Sequence, residues 1–359
     1  MTLELKGVTK RVGAETHIYG TDLKLADTGF NVLLGATGAG KTTLIKIMAG
    51  LEQINAGEIW LGGRNVTGVS PQKRNVSLVH QFFVNYPHMT VFENIASPLR
   101  IAGMSSAEID QRVGETAELL RLTPMLGRHP AELSGGQQQR TALARALAKD
   151  AAVVLLDEPL ANLDYKLREE LRDELPRLLA DRGAIVVYAT SEPAEALLLG
   201  GHTATMREGQ VTQFGPTAEL YRRPMDLPTA EIFSDPPMNT ARVEKRDGAV
   251  KLSSTVAWPA SGAISDHPDG AYLMGVRPNF VSPSEESAHQ VRIDGCVLVT
   301  ELSGSESVAH FELGRAEGGG TWVSQSHGIH PYKVGEQHGF FIDVSRCLYF
   351  DETGARLGG

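Results

Sequence analysis

The chain has 359 residues and a mass of 38.7 kDa, more than one hydrophobic core usually organises, so two domains are expected. Apolar residues make up 42% and charged residues 21% of it, which excludes wholesale disorder. Acidic residues outnumber basic ones by 43 to 34, a formal charge of −9. That balance argues against nucleic acid as the main partner, because neutralising phosphates takes a basic surface.

The longest apolar runs, Ala151–Leu156 and Ala184–Ala189, fall far short of the ~20 residues that span a bilayer. The opening Met1-Thr2-Leu3-Glu4-Leu5-Lys6 lacks the basic and apolar stretches of a signal peptide. Only Cys296 and Cys347 are available for disulfides. A reducing, cytosolic setting is expected, with any membrane work done through other subunits.

Residues 1–235 alternate short β-branched runs with amphipathic stretches, the α/β pattern. Asn31–Leu34 reads as a buried strand, followed by a Gly-rich turn and a helix over Lys41–Ala49. Residues 88–133 are helical and polar in texture and predict an inserted helical subdomain. Ala152–Leu156 and Ala184–Tyr188 read as buried parallel-type strands. Between them, Leu167, Leu171, Leu175, Leu178 and Leu179 recur at helical spacing over Leu167–Arg182, with a kink or break expected at Pro176. Pro236-Pro237 marks a boundary. Beyond it, Ala271–Val276, Val291–Val299, Ser307–Leu313 and Gly339–Val344 are short strand-like runs, predicting a small all-β domain over residues 236–359. That stretch has no acid–base or metal-ligand cluster; His327 and His330 read as surface loop.

Gly35-Ala36-Thr37-Gly38-Ala39-Gly40-Lys41-Thr42-Thr43 follows a strand and opens a helix, the context a P-loop requires. Glycines let backbone N–H groups turn inward on phosphates, and the helix start adds partial positive charge. Lys41 is placed to reach the β- and γ-phosphates of ATP, and the Thr42 hydroxyl to ligate Mg²⁺. Val153–Leu156 then ends in Asp157-Glu158. Asp157, at the carboxyl end of a strand, suits Mg²⁺, and Glu158 suits a general base for the attacking water. Leu133-Ser134-Gly135-Gly136-Gln137 is a second anion-binding helix start, separate from the first. Two such sites in one chain make sense if one serves a neighbouring subunit.

These motifs, with Leu163-Asp164, resemble the nucleotide-binding subunits of ABC transporters. Gln81, within Leu78–Phe83, resembles the family's Q-loop, and Tyr86–Ile95 resembles the form found in maltose-type carbohydrate and polyol importers. Met274–Pro278 and Phe350–Gly354 resemble that subgroup's OB-like regulatory domain. The resemblance implies an α/β P-loop ATPase with a helical subdomain, followed by a smaller all-β OB-like regulatory domain. It implies ATP and Mg²⁺ as ligands, Mg²⁺ held by Thr42, Gln81 and Asp157, and a head-to-tail dimer. In that dimer Ser134, Gly135, Gly136, Gln137 and Asp164 contribute to the nucleotide of the partner ATPase. Two permease subunits would dock near Phe82, Phe83 and Tyr86, a periplasmic solute-binding protein would deliver cargo, and the chain would sit peripherally on the cytoplasmic face of the inner membrane. His80 is assigned no role.

Two positions depart from the family pattern. Ser191 stands where the switch histidine is usual, and a hydroxyl has neither its reach nor its cationic donor. Val12 stands where an aromatic usually stacks on adenine, with Tyr19 a candidate replacement. Both losses fall on this subunit's own P-loop site, while the signature serving the partner is intact. The expectation is a heterodimer with one weakened site; a homodimer, or a soluble ABC ATPase acting on ribosomes or nucleic acid, is the alternative. Thr190-Ser191-Glu192-Pro193 with Glu195–Gly201 resembles one of the two unlike ATPases of bacterial glycerol importers.

Overall fold

The computed structural model describes all residues except Thr28, Asn162, Asp181, Arg182, 315–319 and Gly359, and except the side chains of Leu167, Arg177, Leu178 and Ala180. The chain divides into two compact units, Met1–Ala218 and Glu219–Gly359.

The first unit opens with β1 (Leu3–Val12), β2 (Glu15–Lys24), β3 (Phe30–Leu34), α1 (Lys41–Ala49), β4 (Ala56–Leu61), β5 (Arg64–Asn65) and β6 (Val76–Val79). It continues through α2 (Val91–Ile101), α3 (Ser106–Leu119), α4 (Gly135–Ala148), β7 (Val153–Asp157), α5 (Tyr165–Ala180), β8 (Ile185–Thr190), α6 (Pro193–Leu199), β9 (His202–Arg207) and β10 (Gln210–Pro216). A six-stranded sheet has the order β10-β9-β3-β8-β7-β6. Its strands β9, β3, β8, β7 and β6 run parallel, and β10 pairs antiparallel at the edge. Every residue of β3, β7 and β8 is buried, the continuous apolarity of a strand covered on both faces. Helix α1 packs Leu44, Ile45, Ile47 and Met48 into the same core, each such side chain contributing about 1.5–3 kcal/mol by leaving water.

Register positions the site. Leu34 pairs with Thr190 and Asp157 with Ala189, so the carboxyl ends of β3, β8 and β7 finish level. The loops that follow them open on one edge of the sheet, where open α/β folds bind ligands.

The sequence pattern missed one layer. Strands β1, β2, β4 and β5 form a separate antiparallel sheet in the order β2-β1-β4-β5. Leu3, Leu5, Val8, Ile18, Leu23 and Ile59 face the core, while Glu4, Lys24 and Trp60 pair on the other face. Of the kink or break expected at Pro176, no break occurs: α5 runs from Tyr165 to Ala180 with Pro176 inside it. Leu171, Leu175 and Leu179 are buried, and that anchorage outweighs the backbone hydrogen bond that proline removes. The side chains of Leu167 and Leu178, and residue Arg182, lie outside the described residues. Helices α2 and α3 each start with a capping box, Thr90 with Glu93 and Ser105 with Glu108.

The unit boundary falls inside α7 (Thr217–Arg222). The second unit continues with α8 (Leu227–Ile232), β11 (Asn239–Arg246), β12 (Ala249–Lys251), β13 (Ala257–Pro259), β14 (Gly270–Val276), β15 (Val281–Ser282), β16 (Gln290–Leu302), β17 (Glu306–Leu313), β18 (Thr321–His327), β19 (Gln337–Asp343) and β20 (Leu348–Phe350). These strands make two five-stranded sheets, β13-β12-β11-β14-β20 and β15-β19-β16-β17-β18, antiparallel throughout. Both feed one core, with Val243, Val250 and Met274 from the first and Ile293, Phe311, Trp322 and Phe340 from the second. The Phe311 and Phe340 rings stack at 3.8 Å. Beyond the end of α7 and the short α8, the unit is a small all-β domain.

Candidate nucleotide site

Between β3 and α1 the backbone turns through Gly38 (φ 85°) and Gly40 (φ 100°), a conformation that side chains disfavour. Gly35 is needed for another reason: a Cβ there would lie 2.3 Å from the Met206 carbonyl oxygen. Within this turn, the Ala39 N–H donates to the Ala36 carbonyl at 3.0 Å, and the Ala39 carbonyl accepts the Gly209 N–H at 3.0 Å. The loop is therefore braced against the β9–β10 turn before any ligand arrives.

Lys41 is almost fully buried at the head of α1. Its Nζ donates to the carbonyls of Gly35 at 2.7 Å and Ala36 at 3.1 Å, and lies 3.6 Å from Glu158 Oε1. Burial lowers its pKa, opposed by the carboxylates of Glu158 and Asp157. Thr42 Oγ1 donates to Asp157 Oδ1 at 3.1 Å, and Gln81 Nε2 donates to Glu158 Oε2 at 3.2 Å. Residues 81, 157 and 158, far from the loop in sequence, thus converge on its first helical turn.

The donor set fits Mg²⁺. Asp157 is buried, and its Oδ2 has no hydrogen-bond partner, a costly condition for a carboxylate oxygen unless a cation satisfies it. Burial pushes the Asp157 pKa up, a tendency that a bound cation would oppose. Asp157, the Thr42 hydroxyl and the Gln81 side chain would hold the metal, all through the oxygen ligands magnesium prefers. When bound, the ion neutralises charge on the β- and γ-phosphates.

Thr42 and Gln81 open into a cavity of ≈ 520 Å³ lined also by Thr37, Gly38, Gly40, Lys41, Thr43 and Glu158 on one side, while buried Asp157 is not part of the lining. Glu15, Thr16, His17, Tyr19, Glu208 and Gly209 complete the lining. Val12 does not belong to it; it sits 52% exposed at the tip of the β1–β2 hairpin, opposite Glu15. Tyr19 does line it, tied by its N–H to the Gly209 carbonyl at 3.0 Å. The sequence had offered Tyr19 only as a candidate, and His17 and Glu208 not at all. No simple alternation signals the residues of β2: Glu15, Thr16, His17 and Tyr19 all line the cavity, across a register shift in the β1–β2 pairing.

Ser191 follows β8, is exposed and does not line the cavity. Beneath it, Thr190 Oγ1 and Tyr188 Oη both donate to Glu195 Oε2, at 2.6 and 2.9 Å. Burial raises the Glu195 pKa. This buried triad fixes the backbone on which Ser191 stands.

The signature lies elsewhere. Ser134 caps α4: its N–H donates to Gln137 Oε1 at 2.9 Å, and its Oγ accepts the Gln137 N–H at 3.4 Å. Ser134 and Gly135 are exposed, and none of Ser134, Gly135, Gly136, Gln137 or Asp164 lines the cavity. Asp164, just before α5, accepts the Arg168 N–H through its carbonyl. The segment after Gln81 is pinned to the signature helix: Asn85 Nδ2 donates to the Gln138 carbonyl at 2.8 Å, and Arg145 donates to the Val84 carbonyl at 2.5 Å. On that pinned segment Phe82, Val84 and Tyr86 remain exposed, while Phe83 is half-buried.

Fold, braced glycine loop, buried lysine and paired acids together define a P-loop nucleoside triphosphatase. The ABC transporter family model matches residues 19–161. The chain is 36% identical over 365 residues, 99% of both sequences, to the sn-glycerol-3-phosphate import ATP-binding protein UgpC of Burkholderia mallei. The protein of the same name from Cupriavidus necator is 38% identical over 323 residues, covering 87% of this chain and 88% of that one. The chain belongs to the ABC transporter family. Among solved structures, the dimeric post-hydrolysis ATP-binding cassette MJ0796 bound to ADP and Pi superposes with a TM-score of 0.56 at 29% identity, over 60% of this chain and 98% of that one. The protein is therefore an ABC-type ATPase that uses ATP with Mg²⁺. Among the described residues, no helix is long and apolar enough to cross a membrane.

Proposed function

We propose that this chain is the ATP-hydrolysing subunit of an importer for a small polyol or its phosphate ester, docked peripherally on the cytoplasmic face of the inner membrane. The observation that carries the catalytic part is the convergence of Lys41, Thr42, Gln81 and Glu158 on one cavity. Near-full-length similarity to glycerol-3-phosphate import ATPases supports the polyol part. Glu158 would take the proton of the attacking water, oriented by the Gln81 amide that already holds its other oxygen. The exposed start of α4, from Ser134 to Gln137 with Asp164, would complete the nucleotide site of a partner ATPase. Phe82, Val84 and Tyr86 would seat the permease, and their attachment to α4 would carry motion at the nucleotide to the membrane subunits. Residues 236–359 would serve as a regulatory domain.

Uptake by cells lacking the gene tests the solute. Loss of labelled sn-glycerol 3-phosphate or glycerol uptake, restored by the wild-type gene, is the expected result. Undiminished uptake of both would remove the polyol assignment.

Tyr19 takes over adenine stacking from Val12 in this reading. A stacked ring is worth about 0.5–1.5 kcal/mol beyond its buried area, so Tyr19→Ala is expected to weaken ATP binding roughly three- to tenfold. Val12→Ala should leave it unchanged. A larger loss from Val12→Ala than from Tyr19→Ala, in a fluorescent-nucleotide titration, would reverse the assignment. The proposed asymmetry with a second, unlike ATPase then rests on Ser191 alone.

A further inference from the structure

The second unit contains a cavity of ≈ 590 Å³ whose lining includes four arginines, Arg222, Arg277, Arg346 and Arg356, and no aspartate or glutamate. Arg277 is 7% exposed. Its guanidinium stacks on the Tyr221 ring at 3.8 Å and donates through one terminal nitrogen to the Tyr221 carbonyl at 2.7 Å. Its Nε is buried without a hydrogen-bond partner. Arg346 lies over the Phe280 ring and pairs with Asp343 at 4.0 Å; it and Arg222 are exposed members of the lining, where solvent reaches them. Arg356 is partly buried, and both burial and the charge of Arg223 press against its cationic form.

Burying Arg277 and half-burying Arg356 beside further guanidinium groups is unfavourable without an anion to offset their lost hydration and repulsion. An arginine held flat by an aromatic ring, with a donor edge unpaired, is arranged for the oxygens of a phosphate. The remaining lining is apolar, with Phe280, Leu348 and Leu357, and the volume lies within the range of small-molecule sites and exceeds what a bare phosphate fills. From this geometry we infer that the second unit binds a small phosphate monoester, its dianionic phosphate on the arginines and its carbon skeleton against the apolar wall. The site is distinct from the P-loop cavity and does not depend on which solute the importer carries.

Calorimetric titration of the full-length protein tests this, with Mg-ADP saturating the P-loop cavity. The probes are sn-glycerol 3-phosphate, inorganic phosphate and glycerol. The ester should bind, inorganic phosphate should bind more weakly, and glycerol should give no heat. Because Arg277 is part of the core, the informative variants are Arg222→Gln and Arg356→Gln, checked for an unchanged melting profile. Each should weaken ester binding by about tenfold, the loss typical of a charge-assisted hydrogen bond. Absence of ester binding would overturn the proposal, as would binding that both variants retain in full or that Mg-ADP abolishes. Equal affinity for inorganic phosphate would overturn the role given to the apolar wall.

Discussion

Replacing Lys41 with alanine is expected to lower ATP affinity by about two orders of magnitude, the cost of removing a buried cation from a polyphosphate site. The reasoning is local. Lys41 is the buried cation of the loop, and it holds the Gly35 and Ala36 carbonyls and one Glu158 oxygen together. In the complex it exchanges those acceptors for phosphate oxygens. Alanine leaves the phosphates without the loop's side-chain cation and leaves Glu158 close to their negative charge. Fluorescent-nucleotide titration of the isolated subunit measures the effect, and unchanged affinity would remove the P-loop assignment.

The second large effect is a difference between two variants of the assembled transporter. Ser134→Arg should abolish transport, because it sets a bulky cation at the exposed start of α4, where the partner's nucleotide would be completed. Glu158→Gln should be milder, because it damages a site that already lacks the switch histidine. Loss of one positioned donor typically costs about 10²–10³ in rate, so a site carrying Ser191 has less turnover to lose. Losing the Ser134 cap costs only about 1 kcal/mol of helix stability, too little to explain abolition by unfolding, and circular dichroism checks it. ATPase rates and uptake in the purified, reconstituted transporter decide the matter. If Glu158→Gln abolishes activity as fully as Ser134→Arg, the two sites are equivalent and the unequal-pair model fails.

Much of the site was legible because its determinants are local. The helix read from the sequence as Lys41–Ala49 has those bounds in the structure, since a glycine turn and an apolar face are written in consecutive residues. The buried strands ending at Asp157 and Thr190 were found by continuous apolarity, within a residue or two of their observed bounds. What escaped was non-local. The antiparallel sheet of β1, β2, β4 and β5 depends on pairings such as Leu5 with Ile59, and no periodicity within one segment announces a partner more than fifty residues away. Tyr19 reaches the cavity only because that sheet delivers it. In the second unit, three-residue strands such as Ala249–Lys251 and Ala257–Pro259 are too short to carry an alternation. At Pro176 a local breaking signal did not end the helix, because a buried leucine stripe anchors both sides of it.

Glu158 holds a backbone φ of 47°, a left-handed conformation that costs a side-chain-bearing residue about 1–2 kcal/mol. Glycine would relieve that cost, and asparagine part of it. Folding stability and catalysis therefore pull this position in opposite directions. A laboratory selection for thermal resistance alone would drift toward losing the carboxylate proposed as the general base. Any effort to harden this protein for structural or biotechnological use has to hold residue 158 out of the library, or screen for turnover alongside melting temperature.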